Sequence, residues 1–161
     1  MSNKKRRATP IRAALLSHSA LQKLVTEHLG AVEKAHRGYI AEESKRQFAD
    51  SLEIDENLRK GHEQANRWDY LLGHKATSCV VGLEPHSAND DQVQTVIRKR
   101  KSALEQLRPH FKDGAKVVAW FWVASGKNRF ADTEKTRRLL DQNGITFVCA
   151  ELSEKHLAKL M

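Results

Sequence analysis

The chain has only two cysteines in 161 residues, no internal repeat, and no apolar run near the ~20 residues that a membrane-spanning helix requires. Cys79 and Cys149 each sit in an apolar run with no neighbouring ligand residues. They read as reduced thiols packed as small hydrophobes, which argues against a disulfide framework or a structural zinc. The longest apolar run, Val117 to Ala124, is strand-sized. Met1 to Pro10 is polar and basic, with no apolar stretch behind the charges, unlike a secretory signal. The expected location is therefore cytoplasmic, without a membrane partner. Ser125-Gly126-Lys127 lacks the full glycine-rich sequence of a nucleotide-binding loop and reads as a turn. His18, His28 and His36 recur at ten- and eight-residue intervals, not the four-residue spacing of a helical zinc pair.

What is present suits one compact domain: 40% of residues are apolar and 30% charged, enough for a core beneath a well-solvated surface. The net charge is +8, but Lys4, Lys5, Arg6, Arg7 and Arg12 carry five of those charges, leaving +3 on the other 149 residues. The excess is thus largely a tail. Such an arm is a handle for nucleic-acid phosphates, with a solubilising terminus as the plainer alternative.

Residues 1–10 form the basic tail, 11–60 a helical region and 61–161 the core of the expected architecture. From Ile11 to Lys60, Leu15, Leu16, Leu21, Leu24, Val25, Leu29 and Val32 recur at three- and four-residue steps, which predicts two or three amphipathic helical pieces packed on the core, with no strand. Arg67 to Gly73 and Ser78 to Pro85 read as the strands of a hairpin. Asp90 and Asp91 open a helix that Pro109 ends. Val117 to Val123 reads as a strand covered on both faces, a helix capped by Asp132 or Thr133 runs to Asn143-Gly144, and Ile145 to Leu152 is the last strand before a short terminal helix. The fold class is mixed α/β: a helical N-terminal region, then a β-β-α-β-α-β core with a central sheet flanked by helices.

The hairpin carries the chemistry. Side chains alternate along a strand, so Trp68, Tyr70 and Leu72 share one face, as do Cys79, Val81 and Leu83. Making those faces coincide pairs Tyr70 with Leu83 and Leu72 with Val81, and sets Asp69 opposite Glu84. Facing carboxylates repel, and a hard cation such as Mg²⁺ or Mn²⁺ would compensate them. The backbone carbonyl of Pro85 is a further candidate ligand. His86, on the strand face of Glu84, has the pKa range to handle a proton near neutrality. On the next helix, Val93, Val96, Ile97, Leu104 and Leu107 form an apolar stripe with Arg100 near its centre and Lys101 at its boundary, so these two are the cations placed to reach the acidic pair, whereas Arg98 and Lys99 point elsewhere. The plainer reading is a surface hairpin with solvated acids and a snorkelling arginine.

This arrangement resembles the PD-(D/E)XK nuclease-like superfamily, in which an Asp on one strand precedes a Glu-x-Lys on the next. Asp69 matches the Asp, Glu84 the Glu and Pro85 the intervening residue, while His86 stands where lysine is usual. Some relatives carry the working lysine on the following helix, to which Arg100 and Lys101 would correspond. The resemblance implies a metal-dependent phosphodiesterase acting on DNA or RNA. In that reading Asp69, Glu84 and Pro85 hold the metal, while His86, Arg100 and Lys101 are catalytic. An inactive module of the same fold, binding nucleic acid or a larger complex, is the alternative, and a third reading has the N-terminal helices mediate homo-oligomerisation.

Lys4, Lys5, Arg6 and Arg7 are expected to add affinity for nucleic acid without sequence choice. Neutralising four phosphates gives a salt slope of roughly −3 to −4 on duplex DNA. Deleting Ser2 to Arg7 should flatten the slope by that amount, and an unchanged salt titration would reject the tail as a contact.

Overall fold

A computed structural model describes residues 8–59, 61, 66–86, 92–124 and 134–160. Its centre is a six-stranded mixed sheet in sequential order: β1 (Thr26–Glu27), β2 (Phe48–Glu53), β3 (Tyr70–His74), β4 (Cys79–Pro85), β5 (Val117–Ala124) and β6 (Ile145–Cys149). The first four strands run antiparallel to their neighbours, whereas β5 is parallel to β4 and β6 to β5. Parallel neighbours need a crossover, and the helices between them are α2 (Gln92–Leu107) and α3 (Glu134–Gln142). The hairpin register is the one that makes the apolar faces coincide: Tyr70 pairs with Leu83, Leu71 with Gly82 and Leu72 with Val81.

Each face of the sheet has its own core. On one side Leu71, Val80, Trp120 and Trp122 pack against Val96 and Ala103 of α2, Leu140 of α3 and Ile11 of α1 (Pro10–Ala14). On the other, Tyr70, Leu72, Val81, Leu83 and Phe121 meet Val32 and Ile40 from the N-terminal turns and Leu157 of α4 (Glu154–Leu157). The apolar run of β5 therefore serves both faces, as its sequence implies, although Val118 near its start is exposed. Trp68 departs from expectation. It precedes β3 and sits with Trp120 on the α2 side, ring centroids 5.0 Å apart and nearly perpendicular, not with Tyr70 and Leu72. Gly82 makes that pair possible, since a Cβ there would lie 2.5 Å from the Trp120 ring and 3.0 Å from Nε1 of Trp68. Cys149 is exposed at the end of β6 and not packed as expected, because the outward edge of the last strand leaves it uncovered.

The region from Ile11 to Lys60 is where the sequence reading needs most correction. Its described part holds one turn of α-helix, 3₁₀ turns at Ala20–Leu24, Lys34–Tyr39 and Glu42–Gln47, and the strands β1 and β2. Short helices gain little from propensity, and here single buried residues in and between the turns, such as Leu21, Leu29, Val32 and Ile40, hold the segment to the core. Those anchors recur at helix-like intervals without one helix joining them. Strand β2 lacks the expected alternation because polar Asp50 and Ser51 are fully buried in it. Ser51 Oγ accepts from the Ala31 amide at 3.0 Å, and Asp50 receives the amides of Ile11 (3.0 Å) and Arg12 (3.3 Å) at the start of α1. A strand thus supplies the N-terminal cap of a helix 39 residues earlier. Gly144, at φ 69°, stops α3 as its sequence implies. The expected caps at Asp90, Asp91, Asp132 and Thr133 lie outside the described residues.

Gly73 makes room for the Asp50 carboxylate, since a Cβ there would fall 1.9 Å from Oδ1. Gly73→Ala should therefore cost about 1–3 kcal/mol by overpacking, measured by urea denaturation. In a double-mutant cycle with Asp50→Ala the two costs should be strongly non-additive, because the second change removes the atom that the new methyl strikes. Additive costs would place the strain elsewhere.

Candidate active site

Glu84 lies near the end of β4 on the face covered by α2, and its side chain has no exposed surface. The register that pairs Tyr70 with Leu83 sets Asp69 against it, and the Asp69 amide donates to Glu84 Oε2 at 2.9 Å. The Asp69 carbonyl accepts from the Ile54 amide at 2.9 Å, so this peptide is clamped between the ends of β2 and β4. Covalent geometry then keeps the two carboxylates within about 8 Å of each other.

The cation that reaches this pair is Lys99, whose ammonium forms an ion pair with Glu84 Oε1. Neither Arg100 nor Lys101 does so. The buried residues of α2 are Val93, Val96, Ala103, Gln106 and Leu107, whereas Leu104 is exposed and Ile97 only half-buried. Counting Leu104 and Ile97 into the apolar stripe rotates its apparent centre to Arg100. The true stripe passes through Val96, Lys99 and Ala103 at three- and four-residue spacing. Arg100 instead lies over the Trp120 ring, its Cζ 5.8 Å from the centroid, and packs on Gly144. Its buried Nε has no hydrogen-bond partner among the described residues, which makes it part of the packing between α2, β5 and the end of α3. Lys101 is exposed.

His86 continues the strand by one residue beyond β4. Its amide donates to the Val123 carbonyl at 3.2 Å, and its own carbonyl accepts from Trp122 Nε1 at 3.2 Å. The Nε2–H donates to Gln92 Oε1 at 2.6 Å, and in that tautomer Nδ1 carries the lone pair. Gln92, at the start of α2, and Lys99 are the two residues that sequence reasoning missed. The signal for Lys99 was its place three residues after Val96 and four before Ala103. For Gln92 no sequence signal existed. Because peptide groups alternate along a strand, the His86 bond to β5 turns the Pro85 carbonyl the other way, toward the segment carrying Asp69.

Burial pushes the Glu84 carboxyl up to about 8, and the charge of Asp69 pushes the same way against the opposing pull of Lys99. Burial likewise raises Asp69, while Lys99 draws it down. For Lys99, burial favours the neutral amine, yet the charge and hydrogen bond of Glu84 outweigh it and hold the ammonium above its ordinary pKa. The two carboxyl groups, one of them fully buried, thus both hold their protons more tightly than in water, and Lys99 opposes that on each.

The donor set fits a hard divalent cation. The half-buried Asp69 carboxylate accepts no hydrogen bond from any described residue, and each Glu84 oxygen uses one lone pair and keeps another. Among the described residues no third His, Cys, Asp or Glu side chain converges to complete a cage. The set is thus two carboxylates and a main-chain carbonyl, with water for the remainder, which suits Mg²⁺ more than zinc. Lys4, Lys5, Arg6, Arg7 and Ser125-Gly126-Lys127 lie outside the described residues. No family model, curated protein or solved structure matches this chain.

A carboxyl whose pKa is raised on folding binds its proton more tightly in the native state, so the protein loses stability as pH climbs from the unfolded value toward the folded one. In the presence of chelator, melting temperature should therefore fall between about pH 4.5 and 8. Glu84→Gln should flatten that decline, and an unaltered pH profile in this variant would show that Glu84 is not its source.

Proposed function

We propose that the protein is a metal-dependent nucleic-acid phosphodiesterase of the PD-(D/E)XK-like type. The observation carrying this reading is the meeting of Asp69, just before β3, with Glu84 of β4 and Lys99 of α2 on one face of the sheet. A lysine from the helix after the hairpin supplies the cation that the residue at position 86 lacks. Asp69, Glu84 and the Pro85 carbonyl would hold Mg²⁺ or Mn²⁺. Bound there, the ion supplies a water of lowered pKa and neutralises charge on the phosphate. The residues do the rest. Lys99 keeps a positive charge beside both carboxylates, where it stabilises the oxygens of a phosphodiester as negative charge builds up on them. His86, held by Gln92 with a lone pair on Nδ1, takes the proton of the attacking water as its oxygen bonds to phosphorus and the P–O ester bond breaks. Among the described residues no helix is long and apolar enough to cross a membrane.

A second reading, the inactive nucleic-acid-binding module, is favoured by one feature. The ammonium of Lys99 already occupies Glu84 Oε1 and competes there with any metal.

Mg²⁺ or Mn²⁺ should raise the melting temperature of the wild-type protein, since a ligand bound only by the native state stabilises it. Asp69→Asn and Glu84→Gln should each abolish that rise. His86→Ala should lower cleavage by about 10²–10⁴-fold and Lys99→Met by about 10²–10³-fold, both with the metal-dependent rise intact. Metal-dependent melting without cleavage of any DNA or RNA substrate would leave the binding module. Absence of both would defeat the metal site altogether.

A further inference from the structure

β6 is the last strand of the described sheet, and along its open edge runs a groove of about 570 Å³. Its walls come from both layers: Arg137 and Asp141 from α3, and Lys155, His156 and Lys159 from α4 and the turn after it. Among the described residues lining it, one arginine and two lysines accompany one carboxylate. The local field is positive enough that, after burial, Lys155 and Lys159 are what lower the pKa of His156. Glu154, the acidic neighbour on α4, lies close enough to His74 of β3 to act on it.

The groove lies two strands away from Glu84. Glu84, Trp122 and Phe147 pair in one row across β4, β5 and β6, and Phe147 lines the groove. Strands about 4.8 Å apart put that wall roughly 10 Å from Glu84. β4, β5 and β6 are parallel, so they end at the same edge of the sheet, where ligands bind in open α/β sheets.

We propose that the groove at the β6 edge is a second nucleic-acid contact that holds the phosphodiester backbone of the strand whose scissile bond lies at Glu84. This inference rests on the nuclease reading above. Lysines on an exposed strand edge also discourage pairing with other chains, but that role needs no convergence of cations from two layers onto one cavity.

The test measures binding of a fluorescent duplex and of a single-stranded oligonucleotide to the full chain carrying Asp69→Asn, so that cleavage is irrelevant, over a salt titration. Lys155→Ala with Lys159→Ala should weaken binding and reduce the slope of log Kd against log salt by about 1.8 on duplex, two charges at 0.9 each. The matched control is Lys112→Ala with Lys116→Ala, two exposed lysines just before β5, at the opposite end of the parallel strands. It should leave the slope within a few tenths of the unsubstituted value, and thermal melting checks that both pairs still fold. Equal losses from both pairs would overturn the groove in favour of general charge, as would no loss from either. Tighter binding of polyglutamate than of either oligonucleotide, lost with Lys155 and Lys159, would overturn it in favour of an acidic peptide. Cleavage by wild type with binding independent of Lys155 and Lys159 rejects the groove and keeps the nuclease. Groove-dependent binding by a wild type that cleaves nothing rejects the nuclease and keeps the groove as a nucleic-acid contact.

Discussion

A carboxylate with no exposed surface has to be compensated where it stands, and in this protein Glu84 imposes that requirement on three elements at once. The effective penalty for burying an ion is several kcal/mol even after relaxation, and removing one partner of a buried pair is strongly destabilising. The Asp69 amide and the Lys99 ammonium are therefore constraints on the fold as much as features of a site. A one-residue slip of the hairpin would carry Glu84 to the opposite face, among Tyr70, Leu72 and Phe121, where no cation was brought to meet it. A rotation of α2 by one residue would bring Arg100 or Arg98 into the place of Lys99. Strand register and helix rotation are both tied to the one charge.

Asp50 is a second buried carboxylate, and the contrast separates structure from chemistry. Burial raises its pKa as it does for Glu84, yet its ligands are the main-chain amides of Ile11 and Arg12. Peptide N–H groups at a helix terminus are fixed in place, and Glu27, which pairs with Asp50 across β1 and β2, is exposed to solvent. Glu84 faces Asp69 and is paired with a long, flexible ammonium that can exchange partners. Asp50 joins α1 to the sheet by donors that cannot be displaced without unwinding the helix. The partner of Glu84, by contrast, is a side chain that can move away without unwinding a helix.

The hairpin was legible because its information is local. Period-two alternation in Tyr70, Leu72, Val81 and Leu83 admits one register in which both apolar faces coincide, and Asp69 and Glu84 follow from it. Gly144 and the two-sided burial of β5 were legible for the same reason. Strand β2 was not, since Asp50 and Ser51 break its pattern and their partners, Ile11, Arg12 and Ala31, lie at least 20 residues away. Local propensity carries no record of such bonds. The choice among Arg98, Lys99, Arg100 and Lys101 failed for a different reason. Each residue turns a helix by about 100°, so one exposed leucine, Leu104, counted as core was enough to assign the wrong cation.

The position of Lys99 alters what His86 is asked to do. In a Glu-x-Lys motif one residue sits beside the carboxylate with both a charge and exchangeable protons. Here those properties are divided between two elements. Lys99 on α2 provides the charge, bound to Glu84 and held in its protonated form by it. His86 at the end of β4 provides a ring nitrogen with a free lone pair, because Gln92 engages the other nitrogen as an acceptor. A lysine at position 86 would add a second ammonium to the charges around Asp69, which already feels both Lys99 and position 86, and like charges brought together with little water between them repel. On the proposed nuclease reading, the histidine at position 86 and the lysine on α2 are two sides of one electrostatic solution.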